Sequence, residues 1–324
     1  MKIVVTGSAG FIGYHLAKRL LKEKFIVYGI DNLNNYYSNN LKKERIKELL
    51  KNKNFIFYKK DLNEYNQIFK ILKNISPTII YHLASQPGII YSFLNPKTYK
   101  NNNINVTKNL IKISNKLKIE KFYFTSSSSV YGNKKKFPIK EDAKLSPMNY
   151  YAETKLICEK LLKKQLSKNT DLKIFRPFTV YGTFSRPDML FIKYLNSYTN
   201  KKPFVLYNYG NYIRDFTYID DVVDVLFKSL RIGKIRKKII NICSSNPINI
   251  NDVIKIINKT FYKKKKIEFK KRRKGEMIKT FGDNKYVLKL IKNKKFINIK
   301  YGIKKTVDWY KSYKQKNYLQ FNKF

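Results

Sequence analysis

Two cysteines, two histidines and a single tryptophan are all that the 324 residues hold of those types. Cys158 and Cys243 cannot by themselves build a disulfide framework or a metal site, and both read as buried apolar fillers in a reduced compartment. Long hydrophobic runs are also missing. No apolar stretch reaches the roughly 18 residues needed to cross a bilayer, so no membrane partner is expected. The start, Met1-Lys2-Ile3-Val4-Val5-Thr6-Gly7, reads as the first strand of a fold and lacks the spacer and cleavage site of a secretion signal, which points to a cytoplasmic chain. Hydrophobic residues make up 43%, as in globular proteins, and the length accommodates one large domain with a smaller part attached.

Acidic residues are scarce as well: 22 against 69 lysines and arginines, a formal net charge of +47. Taken alone, such a charge suggests nucleic acid or an anionic surface as partner. The lysines are nevertheless scattered through every segment alongside inflated Asn, Ile and Tyr, as drift toward A/T-rich codons would produce. The two basic runs, residues 263–266 and 270–274, are short. A solvated lysine surface follows, with no nucleic-acid partner expected. The charge can still steer a polyanionic substrate toward the protein.

In the first half, short β-branched runs alternate with helical periods, the pattern of a parallel, doubly wound α/β sheet. It predicts strands at residues 2–6, 26–30, 55–58, 78–82, 121–125 and 172–175 and helices at 11–21, 41–50, 96–117 and 151–166. Right-handed crossovers order these into a Rossmann-type sheet over residues 1–176. Beyond Arg176 the rhythm loosens, so a smaller substrate-binding lobe is expected over 177–324. It should be discontinuous, with a strand near 239–242 returning to the main sheet. The residues after Tyr313 are expected to fray.

Gly7-Ser8-Ala9-Gly10-Phe11-Ile12-Gly13 ends the first strand and opens the first helix. In such a loop the first glycine permits the turn, the second lets a pyrophosphate approach the backbone, and the third packs helix on strand. The spacing is GxxGxxG, one residue off the GxGxxG dehydrogenase fingerprint, and would be weak alone. Asp31 at the end of the second strand strengthens it. A carboxylate there accepts bonds from ribose hydroxyls and repels an extra phosphate, favouring NAD over NADP; a plain strand-end turn at Asp31-Asn32 is the bland alternative. Asp61-Leu62, after the third strand, is a candidate adenine contact.

Tyr151-Ala152-Glu153-Thr154-Lys155 puts a phenol and an ammonium on one helix face. A neighbouring lysine would lower the phenol's pKa and make Tyr151 a general base near neutral pH. With 26 tyrosines in the chain, chance YxxxK pairs are common, so a third piece is needed. Ser126-Ser127-Ser128-Ser129-Val130-Tyr131-Gly132 supplies it, at the carboxyl end of the fifth strand, where ligands bind in α/β sheets.

With TGSAGFIG, Asp31-Asn32-Leu33, HLAS at 82–85, SSSSVYG, YAETK and Arg214-Asp215-Phe216-Thr217-Tyr218-Ile219-Asp220-Asp221 in this order, the chain resembles the extended short-chain dehydrogenase/reductases acting on nucleotide sugars, from Met1 to about Tyr313. Asp31-Asn32-Leu33-Asn34-Asn35-Tyr36-Tyr37, Arg186-Pro187-Asp188-Met189 and Tyr207-Asn208-Tyr209-Gly210 narrow the likeness to UDP-glucuronate 4-epimerases of capsule and cell-wall synthesis. The resemblance implies Ser127, Tyr151 and Lys155 as catalytic. It implies NAD held by Gly7, Gly10, Phe11, Ile12, Gly13, Asp31, Asn32, Asp61, Leu62, Leu83, Ala84, Asn103, Tyr151 and Lys155. It also implies a UDP-sugar held by Ser127, Ser128, Ser129, Thr179, Arg186, Arg214 and Arg273, with the last two arginines on the diphosphate, and a homodimer packed through the 96–117 and 151–166 helices. No metal is expected.

Related 4,6-dehydratases carry Asp-Glu after the catalytic hydroxyl residue, and UDP-glucuronate decarboxylases a Glu before Val-Tyr-Gly; here Ser128 and Ser129 stand there. Ser85, Pro87, Ile90 and Pro177 depart from the usual pattern and bear on substrate choice. The alternatives left open are a UDP-glucose or UDP-N-acetylglucosamine 4-epimerase, then a decarboxylase or a non-catalytic nucleotide-binding relative.

Overall fold

The computed structural model describes residues 1–199, 202–233, 239–292 and 295–313. The expected fraying after Tyr313 falls outside that set. Strands are β1 (Lys2–Thr6), β2 (Ile26–Asp31), β3 (Phe55–Lys59), β4 (Ile79–His82), β5 (Lys121–Thr125), β6 (Asp171–Pro177), β7 (Thr179–Tyr181), β8 (Phe204–Tyr207), β9 (Ile213–Tyr218), β10 (Ile239–Ile242), β11 (Pro247–Asn249) and β12 (Ile267–Lys270). Seven of them form one parallel sheet in the order β10-β6-β5-β4-β1-β2-β3. This is the expected α/β sheet, and β10 is the expected returning strand, paired with β6 from Ile239 opposite Ile174 to Ile242 opposite Pro177. Two small sheets, β11-β9-β7 and β12-β8, lie in the second half.

Helices are α1 (Phe11–Lys22), α2 (Asn39–Leu50), α3 (Tyr65–Ile75), α4 (Ile89–Leu94), α5 (Pro96–Tyr99), α6 (Val106–Lys116), α7 (Tyr150–Gln165), α8 (Leu190–Ser197), α9 (Ile219–Lys228), α10 (Ile250–Phe261), α11 (Lys285–Leu290) and α12 (Ile299–Tyr313). The helix expected over 96–117 is interrupted: α5 and α6 are joined by a π-type stretch, Lys100–Asn105, whose wider turn shifts the facing of every residue in it. Among the described residues no helix is long and apolar enough to cross a membrane.

Alternation along the strands divides the core in two. Ile3, Val5, Tyr81 and Phe175 face α1, α9 and the second half of the chain, while Val4, Ile80, Phe124 and Ile174 face α3, α6 and α7. The first of these clusters runs without a break from Val5 to Phe191 on α8 and Tyr310 on α12. Burial of that apolar area welds both halves into one body. Cys158 and Cys243 are free and buried within the packing, and the Cys158 sulfur also bonds the Thr107 hydroxyl and the Asn103 carbonyl, each at 3.3 Å.

The turn from β1 into α1 is where the sequence has least freedom. Gly7 has φ +70°, and a Cβ on Gly13 would stand 2.1 Å from the Gly7 carbonyl oxygen, against backbone that cannot step aside. Gly13→Ala should therefore cost about 1–3 kcal/mol, checked as a lowered urea midpoint with an unchanged slope.

Candidate active site

A cleft of about 790 Å³ opens at the carboxyl ends of the strands, where the order reverses between β4 and β1. Gly7, Gly10, Phe11, Ile12 and Gly13 form one wall. Helix α1 starts there with Gly10 as N-cap, no side-chain cap and no acid in its first turn. Its first amides thus face the cleft, suited to an anion.

Asp31 lies at the end of β2. Its Oδ2 accepts from the Ala9 amide at 3.1 Å and its Oδ1 from the Leu33 amide at 2.8 Å. Burial raises its carboxyl pKa, opposed by Lys42, by these two amides and by Arg45. Beside it the Asn32 amide donates to Asp61 Oδ2 at 3.1 Å. Leu62, Leu83 and Ala84 complete this end of the cleft. A slot with a helix N-terminus at one point and a ribose-height carboxylate at another fits a dinucleotide such as NAD.

Asn103 is the exception among the expected cofactor contacts. It is 2% exposed and lies behind the lining. Its oxygen accepts from the Gln86 amide at 2.7 Å, and its amide donates to Thr154 Oγ1 at 2.9 Å. The π-type stretch presents Asn102 to the cleft in its place.

Ser127, Ser128, Ser129, Tyr151 and Lys155 meet on the opposite wall. Ser127 Oγ accepts from the Ser129 amide at 3.2 Å and from Ser129 Oγ at 2.8 Å, closing the short 3₁₀ turn after β5. Asn149 caps α7, its Oδ1 accepting from the Ala152 amide at 2.9 Å, and so sets where Tyr151 and Lys155 project. Burial raises the pKa of Tyr151, and the neighbouring Ser127 hydroxyl and Arg186 lower it.

The Lys155 ammonium has a backbone partner. One helical turn beyond Tyr151, the ammonium reaches into the sheet, donates to the Thr125 carbonyl at 2.8 Å and lies 4.9 Å from the Phe124 ring centre. Arg186 also lowers the pKa of the phenol. Burial pushes Lys155 down to about 8, with Cys158 and Glu159 pulling the other way.

Thr179, Arg186, Arg214 and Arg273 line the other half. Arg186 makes a two-pronged pair with Asp188 at 2.9 and 3.0 Å, and the Tyr36 hydroxyl donates to the same carboxylate at 3.2 Å. Burial alone would raise Asp188, but Arg186 holds it below the usual carboxylate range. Arg214 donates to the Met277 carbonyl at 2.6 Å and to the Ile213 and Ile278 carbonyls at 3.0 Å, over the Tyr212 ring. Arg273 stacks 4.0 Å from the Tyr207 ring centre and pairs with Glu276, whose other oxygen accepts from the Tyr212 hydroxyl at 2.6 Å. Both guanidiniums are thus fixed in place along one edge.

A family profile described as the NAD dependent epimerase/dehydratase family matches residues 3–243. The chain belongs to that family. A UDP-glucuronate 4-epimerase of Thermodesulfobacterium geofontis is 36% identical over 311 residues, covering 95% of each chain. An uncharacterized protein of Methanocaldococcus jannaschii is 38% identical over 314 residues, again 95% of each. The crystal structure of the UDP-glucuronic acid 4-epimerase from Bacillus cereus, in complex with UDP-glucuronic acid and NAD, superposes with a TM-score of 0.90 at 34% identity, over 96% of this chain and 99% of that one.

In this NAD dependent epimerase/dehydratase several lining residues escaped the reading from sequence: Tyr36, Lys42, Asp188, Lys193 and Glu276. Asp188 sat inside a quoted motif, two residues from Arg186, and its carboxylate was the available signal. Lys42 had none, because what gives it meaning is the proximity of Asp31 across the loop. The four departures, Ser85, Pro87, Ile90 and Pro177, all line the cleft.

Activity that needs the Lys155 ammonium should fall as pH rises past about 8, since its lowered pKa leaves the neutral amine in excess above that point. Lys155→Arg should move this alkaline limb upward in a pH–rate profile, and Tyr151→Phe should cost about 10²–10⁴ in kcat at every pH.

Proposed function

We propose that the chain interconverts UDP-glucuronate and UDP-galacturonate by epimerisation at carbon 4, with NAD as its cofactor. The observation that carries this reading is the meeting of Ser127 and Tyr151 in one cleft with the glycine turn, flanked by Ser128 and Ser129 where related enzymes hold an acid. The likeness to the B. cereus epimerase over nearly its whole length supports the substrate.

The residues divide the work. Gly7, Gly10 and Gly13 with the α1 amides hold the cofactor's diphosphate, and Asp31 and Asn32 its adenosine end. NAD, when bound, supplies a reversible hydride acceptor and a positive ring charge. Tyr151 as phenolate takes the proton of the sugar's 4-hydroxyl, through or beside Ser127, as carbon 4 gives up its hydride. Arg186 and Ser127 favour that phenolate. Arg214 and Arg273 hold the diphosphate while the 4-keto sugar turns its other face; the proton from Tyr151 and the hydride then return to give the inverted alcohol.

With glucuronate the intermediate is a β-keto acid, which loses carbon dioxide when its carboxylate bond aligns with the carbonyl π-system. Ser128, Ser129 and Thr179 hold the carboxylate out of alignment with hydroxyl donors, and positions 128 and 129 carry no carboxylic acid to offer the proton that decarboxylation requires. The reading extends to two lobes, residues 1–176 with the strand at 239–242 and residues 177–324. It extends also to a cytoplasmic homodimer in polysaccharide synthesis, packed through the 96–117 and 151–166 helices, which the family resemblance supports.

Purified protein given UDP-glucuronate, without added NAD, is expected to form UDP-galacturonate by proton NMR. Turnover of UDP-glucose or UDP-N-acetylglucosamine instead, with UDP-glucuronate untouched even after NAD is added, would move the substrate to the rival epimerases. Ser129→Glu should raise the share of pentose product, and an unchanged product ratio would sink the carboxylate account.

A further inference from the structure

Arg45, on α2, is 0% exposed yet forms no ion pair among the described residues. Its guanidinium serves three neutral oxygens: Nη1 donates to the Ala9 carbonyl and the Tyr37 hydroxyl, each at 2.6 Å, and Nη2 to the Phe184 carbonyl at 2.5 Å. Its Nε has no hydrogen-bond partner. A buried guanidinium without a paired anion is costly, so a fold that keeps one draws its counter-charge from elsewhere.

The acceptors show where that counter-charge comes from. Ala9 is the middle of the glycine turn; its amide is bound to Asp31 and its carbonyl to Arg45. Lys42 and Arg45 both act on the carboxylate of Asp31, so Arg45 does not have it to itself. Phe184 precedes Arg186 by two residues, so the third bond fixes the loop that carries the cation facing Tyr151.

We propose that Arg45 couples the two halves of the cleft. Its charge is balanced by the dinucleotide diphosphate at the glycine turn, and its bond to Phe184 carries the turn's position to Arg186 in the sugar half. Arg45 is a positioning residue, and this role rests on the NAD-dependent reading above.

The test compares wild type, Arg45→Met and Arg45→Lys. It measures NAD affinity by calorimetry on NAD-depleted protein, melting temperature with and without NAD, and kcat and KM for UDP-glucuronate at saturating NAD. Arg45→Met should lose roughly 30-fold or more in NAD affinity. Its NAD-free melting temperature sums two opposing effects, an unpaired charge removed from the interior and three oxygens left without their donor, whereas the rise produced by NAD should shrink. Arg45→Lys keeps the charge and cannot span three acceptors, so it should retain most NAD affinity and show a raised KM with kcat less affected. An Arg45→Met protein that binds NAD within about threefold of wild type would overturn the proposal, as would an NAD-free melting temperature that drops while NAD still raises it in full. Should Arg45→Met not fold, Arg45→Lys decides: retained NAD affinity with a raised KM supports the coupling, and wild-type values for both refute it. Wild-type protein that binds no NAD would instead sink the functional reading.

Discussion

The contact between Gly13 and the Gly7 carbonyl sets the geometry on which the cleft depends. With no side chain at either position, α1 starts almost on top of the end of β1, and a Cβ at Gly13 would lie 2.1 Å from that oxygen. The approach turns the α1 amides into the cleft and leaves the buried Ala9 N–H and carbonyl to partners outside the turn. Asp31 takes its N–H and Arg45 its carbonyl. From Arg45 the bonding passes to Phe184, and through that loop to Arg186, Asp188 and Tyr36. The cofactor half and the sugar half therefore share one hydrogen-bonded framework that begins at a missing methyl group.

Much of this was legible in the sequence where local rules act alone. The strands at 2–6, 121–125 and 239–242 were placed to the residue, because β-branched and aromatic runs bounded by turn signals leave little latitude. The convergence of the glycine turn, the serine run and the YxxxK helix follows from sheet topology, which puts all three at strand carboxyl ends. What failed were inferences about which way a side chain faces. Asn103, implied by the resemblance, lies behind the lining, and the π-type stretch has Asn102 at the cleft. A spacing of four puts Tyr151 and Lys155 on one face but says nothing of depth, and the ammonium reaches the Thr125 carbonyl. Pairs such as Tyr36 with Asp188, 152 residues apart, leave no trace in any local pattern.

The lysine excess and the cleft's own cations obey different electrostatics. Lys42, Arg45 and Lys155 are buried, and in low dielectric each bears on its neighbours strongly enough to shift a carboxylate or to need a carbonyl partner. Most of the other basic residues are exposed to water and salt, where a charge is screened beyond about 8 Å at physiological ionic strength. A formal charge of +47 can therefore speed the arrival of a substrate carrying two phosphates and a carboxylate while leaving the chemistry indifferent to it. The chemistry rests on a handful of cations whose positions are fixed by burial, and on serines at 128 and 129 where related enzymes carry an acid.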